Sequence, residues 1–335
     1  MKLSILVCSL FVFNCRLSQN PYFQVEGLHE VNKLKLYELN KTWEKRIFLL
    51  DDLHRDYVLK INQIDQIFEN TVPAEKEIYL EFLRKFNKLA EKENLLIKKL
   101  KNYYIYGIYL SKNLGSSALT GFVYKENQPI GGFIILDINY FLNTTANLWI
   151  TQKELSVFTN GDYNLEIKIE EPNEDTLENA LDYILLHELG HIVSVVENFL
   201  PGFHERERDF NKKEFSKRDW ISEKKSYWDE KIWKKDKIHF YSKGLLPIAE
   251  ALNVYESLEQ TPFPTLYAAT NADDHFAESF VSYLHIFVKK KNWTLFIKTP
   301  QAVVKTFQNG IIKDRCKKER EFLRSYLDVL EKDSY

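Results

Sequence analysis

The fold is decided by residues 175–196, which read DTLENALDYILLHELGHIVSVV. Apolar residues recur every three or four positions in this stretch, which is the spacing that places them on one face of a helix. Asp175 is a good N-cap residue, and Glu178 stands three positions later, as in a capping box. The sequence therefore predicts one long helix that begins near Asp175 and ends before Asn198.

Within this helix, His187, Glu188 and His191 form the pattern His-Glu-x-x-His. Positions i and i+4 share one helical face, so both imidazoles can reach one metal ion. A catalytic zinc ion takes such nitrogens and keeps a coordination position for water, from which Glu188 is placed to take a proton. The alternative is two buried histidines satisfied by hydrogen bonds, which leaves the glutamate between them unexplained. We therefore expect one Zn²⁺ ion at His187 and His191.

A third metal ligand is expected from another helix, and the best candidate segment is 267–280, which reads YAATNADDHFAESF. Asp274 and Glu278 are four positions apart, so on a helix they face the same way. One of them can bind the metal while the other orients a ligating histidine. The residues alone leave open which does which. Asp273 and Asp274 could also cap the helix that begins near Phe276.

The stretch from Asn179 to His191, taken together with residues 267–280, resembles the lethal-factor-like branch of the gluzincin metallopeptidases. In that family a tyrosine is followed by Thr-Asn, an acidic metal ligand and Phe-Ala-Glu. The resemblance covers roughly residues 103 to 312, and residues 304–308 resemble the family's C-terminal helices. The N-terminal segment lies outside the resemblance.

The resemblance implies roles for three residues of this chain. Asp274 takes the place of the third zinc ligand, Glu278 that of the acid behind a ligating histidine, and Tyr267 that of the tyrosine that stabilises the oxyanion. The family usually has glutamate as the ligand, and Asp274 is one methylene shorter. Either the helix lies closer to the metal here, or Glu278 has become the ligand.

The rest of the chain predicts an α+β fold with two regions. Residues 28–100 have apolar side chains at helical spacing, broken at Thr71–Pro73, so the N-terminal region 15–102 is expected to form a helical hairpin or a small bundle. From Tyr103 the pattern changes to short strands, with a hairpin turn at Lys125–Pro129. Residues 103–335 are therefore expected to form a mainly helical, zincin-like domain with a small β-sheet.

The sequence also predicts the structure of three further segments. Residues 203–243 mix charges of both signs with aromatic residues, which indicates either a helical insertion with a solvated face or a substrate wall or lid; the aromatic content favours the insertion. Gly131 and Gly132 begin either an edge strand that pairs with an extended peptide or a simple turn. Residues 301–332 are expected to form two more helices.

The N-terminus has the pattern of an export signal. Lys2 precedes an apolar run, Leu3–Phe13, which is too short to span a bilayer. The run ends at Cys15 in a degenerate lipobox, so residues 1–14 are predicted to be a signal peptide and Cys15 a lipidated mature N-terminus. Only Cys316 then remains, and a secreted chain without disulfides favours a bacterial source. The expected location is secreted or anchored to the membrane through Cys15.

Composition limits the partners. The chain has 335 residues, of which 44% are hydrophobic and 28% charged, as in soluble globular proteins. Its net charge of −2 lacks the basic bias of nucleic-acid-binding surfaces, so no nucleic-acid partner is expected. The expected partner is a peptide or protein substrate, and nothing in the sequence indicates an oligomeric state.

These patterns predict an exported zinc metalloendopeptidase. The alternative is a catalytically inactive, zinc-stabilised surface lipoprotein that acts as a binding module. Glu188 speaks against this alternative, because a structural zinc site has no need of a base. A toxin-like peptidase with a single protein target, held through residues 28–100, would differ in substrate range and not in chemistry.

Overall fold

The computed structural model describes residues 20–242 and 244–332. The predicted signal peptide and Cys15 lie outside the described residues. The helices and small sheets confirm the α+β class. Among the described helices, none combines the length and the apolar character that crossing a membrane requires.

The described α-helices and strands are interspersed along the chain. The helices are Asp52–Asp65 (α1), Lys76–Glu91 (α2), Leu95–Tyr104 (α3), Ala146–Leu155 (α4), Leu177–Val196 (α5), Ala251–Leu258 (α6), Ala272–Tyr283 (α7) and Lys317–Lys332 (α8). The strands are Ile47–Leu49 (β1), Val72–Pro73 (β2), Ile105–Lys112 (β3), Ala118–Lys125 (β4), Gln128–Asp137 (β5), Phe158–Thr159 (β6), Asn164–Lys168 (β7), Trp220–Ser222 (β8), Lys225–Ser226 (β9), Leu246–Pro247 (β10), Thr294–Lys298 (β11) and Val303–Gln308 (β12).

The largest sheet has the strand order β1-β3-β5-β4, with β2 added to β3. Strands β1, β3 and β5 run parallel, and β4 pairs antiparallel with β5 at the edge of the sheet. Glu126 and Asn127 join β5 to β4 with positive φ angles of 51° and 63°, as a two-residue hairpin turn requires. The predicted turn at Lys125–Pro129 is therefore confirmed.

Helix α5 is the centre of the molecule and packs against β4, β5 and α7. It is buried around nearly its whole circumference, as a core helix is. Its N-cap is Thr176, whose side chain accepts a hydrogen bond from the Asn179 amide, so the predicted N-cap at Asp175 is wrong by one residue. Asp175 instead accepts hydrogen bonds from Thr145 and the Asn147 amide, where α4 begins.

Helix α5 approaches α7 closely at Gly190. A Cβ atom at Gly190 would lie only 2.8 Å from the Cα atom of Ala277 on α7. Glycine therefore lets the two backbones come nearer than any other residue would allow at this position. The two segments that the sequence singles out for metal binding are on these two helices.

The N-terminal region is only partly helical. Helices α1, α2 and α3 confirm the helical spacing, but residues 20–45 form short 3₁₀ turns and residues 47–49 form β1. Ile47 pairs with Ile108 of β3, so tertiary pairing decides the structure of an apolar run that local spacing leaves ambiguous. The division at residue 102 stays a prediction, and strands from both sides of it share one sheet.

Two other predicted helical segments are wrong. Residues 203–242 contain 3₁₀ turns and the β8–β9 hairpin but no α-helix, although Phe210 and Trp220 are buried as expected of core aromatics. Of the two helices expected in residues 301–332, α8 confirms one, whereas residues 303–308 form β12, which pairs with β11 in a three-stranded sheet with β7. The β-branched pair Val303-Val304 favours this strand over the expected helix.

Candidate metal centre

Three donor atoms from two helices converge beside the sheet. The Nε2 atoms of His187 and His191 on α5 are 3.2 Å apart. Oδ1 of Asp274 on α7 is 3.5 Å from each of them. A tetrahedral ion with bonds of about 2.0–2.1 Å holds its ligands about 3.3 Å apart. The three atoms therefore have the spacing that a single zinc ion requires, and the residues present fit it.

Asp274 is held in this orientation by its own helix terminus. Its Oδ2 accepts hydrogen bonds from Thr270 Oγ1 at 3.0 Å and from Asn271 Nδ2 at 2.6 Å. Asn271 is the N-cap of α7, and its side-chain oxygen accepts a hydrogen bond from the Asp274 amide. Burial raises the pKa of Asp274, but the contacts with His187 and His191 outweigh it and hold the pKa well below its usual range. The carboxylate is therefore ionised, with one oxygen left to face the imidazoles.

Glu278 contacts the other side of His187. Its Oε1 lies 3.0 Å from His187 Nδ1, but at an angle too oblique for a regular hydrogen bond. The same oxygen accepts a hydrogen bond of 2.8 Å from Lys153 Nζ. Its Oε2 accepts a hydrogen bond from Thr265 at 2.7 Å. This geometry favours Asp274 as the metal ligand and gives Glu278 the position of the acid that orients His187.

The electrostatics of His187 connect metal and proton binding. Burial lowers the pKa of His187, but the nearby carboxylates of Asp274 and Glu278 outweigh it and raise the pKa to about 9. Burial likewise raises the pKa of Glu278, and Lys153 and His187 together lower it to about 2. A metal ion at these ligands therefore competes with a proton.

Glu188 faces the cleft beneath β4. It forms a cluster with His187 and His191 in which the ligand atoms all lie within 4.8 Å of one another. Its Oε2 accepts a hydrogen bond of 2.6 Å from Thr120 Oγ1 on β4. Thr120 has no sequence signal, because it is 68 positions from Glu188 and only the fold brings the two together.

Tyr267 stands beside the metal residues. Its ring centroid is 5.7 Å from that of His187 and 4.8 Å from that of Phe240. Burial raises the pKa of Tyr267 well above its usual value, and the negative charge of Asp274 adds to this rise. Its hydroxyl therefore stays protonated and can donate a hydrogen bond.

The predicted site residues His187, Glu188, His191, Tyr267 and Asp274 line one cleft of about 260 Å³. Larger cavities of about 620 and 690 Å³ lie elsewhere, but neither contains any of these five residues. Chemistry and not volume therefore identifies the candidate site. Glu278 lies behind His187 and does not line the cleft.

Segment 203–242 contributes a wall of this cleft through Phe203, Glu223 and Tyr241. The position agrees with the interpretation of this segment as a substrate wall. Buried Arg208 fastens the wall to α7, since its guanidinium contacts both oxygens of Asp273 at 2.7 and 3.0 Å and one oxygen of Glu223 at 2.9 Å. Asp273 is thereby engaged away from the metal residues.

Strand β4 forms another side of the cleft. Residues 118–120 line the cleft, whereas the far end of the same edge is covered by Asn32, which donates to the Phe122 carbonyl at 2.7 Å, and by Lys33, which bridges to Tyr124. Gly131 and Gly132 lie in β5, which has β3 and β4 as neighbours. Both predicted alternatives for these glycines, the start of an edge strand and a simple turn, are therefore wrong, and β4 has the edge position.

No family model, curated protein or solved structure matches the chain. The resemblance to the lethal-factor-like gluzincins stays a prediction from the motifs.

Proposed function

We propose that this protein is a zinc-dependent metallopeptidase. The observation that carries the proposal is the convergence of His187 Nε2, His191 Nε2 and Asp274 Oδ1 at zinc-ligand spacing, beside Glu188 and in an open cleft. An accidental His-Glu-x-x-His string would have no reason to meet a third, ionised oxygen ligand from a separate helix.

Each residue of the cleft has a chemical role in this proposal. A bound zinc ion would supply the Lewis acidity that polarises a peptide carbonyl and acidifies water. Glu188, held by Thr120, would take the proton from the attacking water and return it to the leaving amine. The protonated hydroxyl of Tyr267 would donate to the oxygen that becomes negative in the transition state.

The cleft also offers a place for an extended peptide. Residues 118–120 are on an edge strand directly above Glu188, and an edge strand can pair with an added chain through its backbone groups. An extended backbone is the form in which a peptide bond presents its carbonyl to such a site. Export and a lipid anchor at Cys15 remain separate predictions.

Two measurements on purified protein test the proposal. Metal analysis should find one zinc ion in the wild type and in Glu188→Gln, because Glu188 is not among the three converging ligands. Mass spectrometry of a diverse peptide library should show cleavage by the wild type and none by Glu188→Gln. Glu178→Gln, on the same helix but outside the cleft, is the matched control and should keep both properties.

Other outcomes separate the alternatives. A folded wild type that binds no zinc would contradict the proposal. A wild type that binds zinc but cleaves no peptide would favour the binding module. Normal turnover in Glu188→Gln would remove the assigned base.

A further inference from the structure

Lys153, at the end of α4, is a buried cation next to the candidate metal centre. Its side chain is only 3% exposed, yet it lines the cleft. Its Nζ atom lies 2.8 Å from Glu278 Oε1 and 3.8 Å from the centroid of the Tyr267 ring. Burying an ammonium group is costly unless it is paired. The position of Lys153 between Glu278 and Tyr267 therefore suggests a role in the proposed site.

The first contact of Lys153 connects it to a metal ligand. Glu278 Oε1 is shared between Lys153 Nζ and His187 Nδ1, at 2.8 and 3.0 Å. Thr265 holds the other oxygen of Glu278. Lys153 therefore helps to fix the carboxylate oxygen that faces Nδ1, and a proton held on Nδ1 leaves the Nε2 lone pair free for a metal.

The second contact connects Lys153 to Tyr267. An ammonium group 3.8 Å from the centre of an aromatic ring is attracted to the ring face. The rings of Phe240 and Tyr241 meet Tyr267 edge-on, with centroids at 4.8 and 6.2 Å. The cation thus restricts the tilt of a ring that lines the cleft.

We propose that Lys153 is a positioning residue that sets both the metal-binding imidazole of His187, through Glu278, and the ring of Tyr267. The inference rests on the proposed function and adds a residue that the sequence motifs do not contain. Lys153 acts through its neighbours and touches no reacting atom.

The chain contains a matched control for the cost of losing a buried lysine. Lys101 is 0% exposed, lies between Glu93 at 2.5 Å and Asp182 at 2.6 Å, and has its Nζ 4.7 Å from the Trp43 ring centroid. Neither Lys101 nor these partners line the cleft. Lys101→Met therefore repeats the loss of a buried ammonium and its ring contact away from the site.

The experiment compares Lys153→Met with Lys101→Met in the full chain. Both variants should lower the melting temperature of the metal-free protein. Only Lys153→Met should weaken zinc affinity, by about 10- to 100-fold in competition with a chelator, as loss of a group that orients a ligand does. In peptide cleavage it should lower kcat with little change in KM, and Lys153→Arg should restore much of both properties.

A cycle with Tyr267→Phe tests the second contact. If Lys153 positions the hydroxyl, the fall in kcat caused by Lys153→Met should be smaller in the Tyr267→Phe background. Additive losses of kcat would overturn this arm of the proposal. The phenylalanine keeps the ring and its cation contact, so only the hydroxyl is lost.

Zinc affinity that is unchanged or tighter in Lys153→Met, or equally weakened in Lys101→Met, would overturn the proposed role. If Lys153→Met fails to fold, Lys153→Gln takes its place in the comparison, and Lys153→Arg remains the variant that should restore both properties. The wild type measured in parallel separates a failure of the proposed function from a failure of this inference. A wild type without zinc defeats the proposed function itself, whereas a zinc-binding wild type with unaffected Lys153 variants defeats only this inference.

Discussion

Asp274 and Glu278 share one face of α7 but contact different nitrogens of His187. Asp274 faces Nε2, which is also the atom that His191 approaches, and Glu278 faces Nδ1. One imidazole can bind a metal through one nitrogen and a carboxylate through the other. The two acids therefore have complementary positions, and the shorter side chain is the one nearer to the proposed ion.

Substitution of the two acids should separate their roles. Glu278→Gln should weaken zinc affinity by about 10- to 100-fold, because it loses only the orientation of His187. Asp274→Ala should weaken it further, because it removes a ligand. Chelator competition measures both, with circular dichroism as the control for folding. The opposite order would make Glu278 the ligand.

At the residue scale, the sequence predicts the His-Glu-x-x-His motif but not the residues from other elements that contact the site. His187, Glu188 and His191 follow from spacing alone, because a helix places positions i and i+4 on one face. Thr120 and Lys153 cannot be found this way. They are 68 and 125 positions from the acids they contact, and only the packing of β4 and α4 on α5 and α7 brings them there.

At the scale of elements, the approach of α5 to α7 determines whether an aspartate can reach the ion. Gly190 lies at a close contact of the two helices, between the motif glutamate and the second histidine. If Asp274 is the third ligand, as proposed, the close contact of the helices would compensate for a side chain that is one methylene shorter than glutamate.

Gly190→Ala tests this relation. The added Cβ would lie 2.8 Å from the Ala277 Cα atom, so the helices must separate. The expected cost is about 1–3 kcal/mol of unfolding free energy, as for other overpacked cores, together with weaker zinc binding. Thermal unfolding and chelator competition measure the two effects. Ala277→Gly should not rescue the variant, because the nearest atom is backbone. Lower stability with unchanged zinc affinity would separate helix spacing from metal binding.

Elements with their own local signals were predicted well, and those fixed by tertiary pairing were not. Helix α5 and the β4–β5 hairpin carry strong periodicity and a clear turn, and both are confirmed. β1 and β12 occur in stretches expected to be helical, where pairing with β3 and β11 decides the outcome. Segment 203–242 has no period, because irregular turns bury Phe210 and Trp220 while Tyr227 and Trp233 stay exposed.

At the scale of the whole molecule, the N-terminal segment is part of the cleft domain. Asn20 donates to the carbonyls of Phe203 and Glu205 at 2.7 and 2.9 Å, and Tyr22 lines the cleft. Glu26 is buried in the same region and accepts hydrogen bonds from Tyr57 and Asn32. Stability of this segment therefore affects the shape of the site.

Glu26 predicts a pH dependence of folding. Burial raises its pKa from an ordinary 4.5 to about 7, although hydrogen bonds from Tyr57 and Tyr124 oppose the rise. The folded state thus binds this proton more tightly than the unfolded state. The stability that the proton gives is complete below about pH 4.5 and is lost as the pH rises through about 7.

Glu26→Gln cannot ionise and should escape this loss. Between pH 5 and pH 8, the wild type should lose up to about 3 kcal/mol of unfolding free energy relative to the variant, measured by urea unfolding. The exposed Glu77→Gln on α2 is the control and should follow the wild type at both pH values. Parallel curves for wild type and Glu26→Gln would show that Glu26 does not hold the proton.

The partly covered edge of β4 has a consequence for self-association. An open edge strand is a template on which sheets of different molecules can join. Here Asn32 and Lys33 close one end of the edge, and residues 118–120 remain, a length of about 10 Å at roughly 3.4 Å per residue. The same strand is thus open enough for one extended chain inside a cleft and too short and too recessed to start a growing sheet.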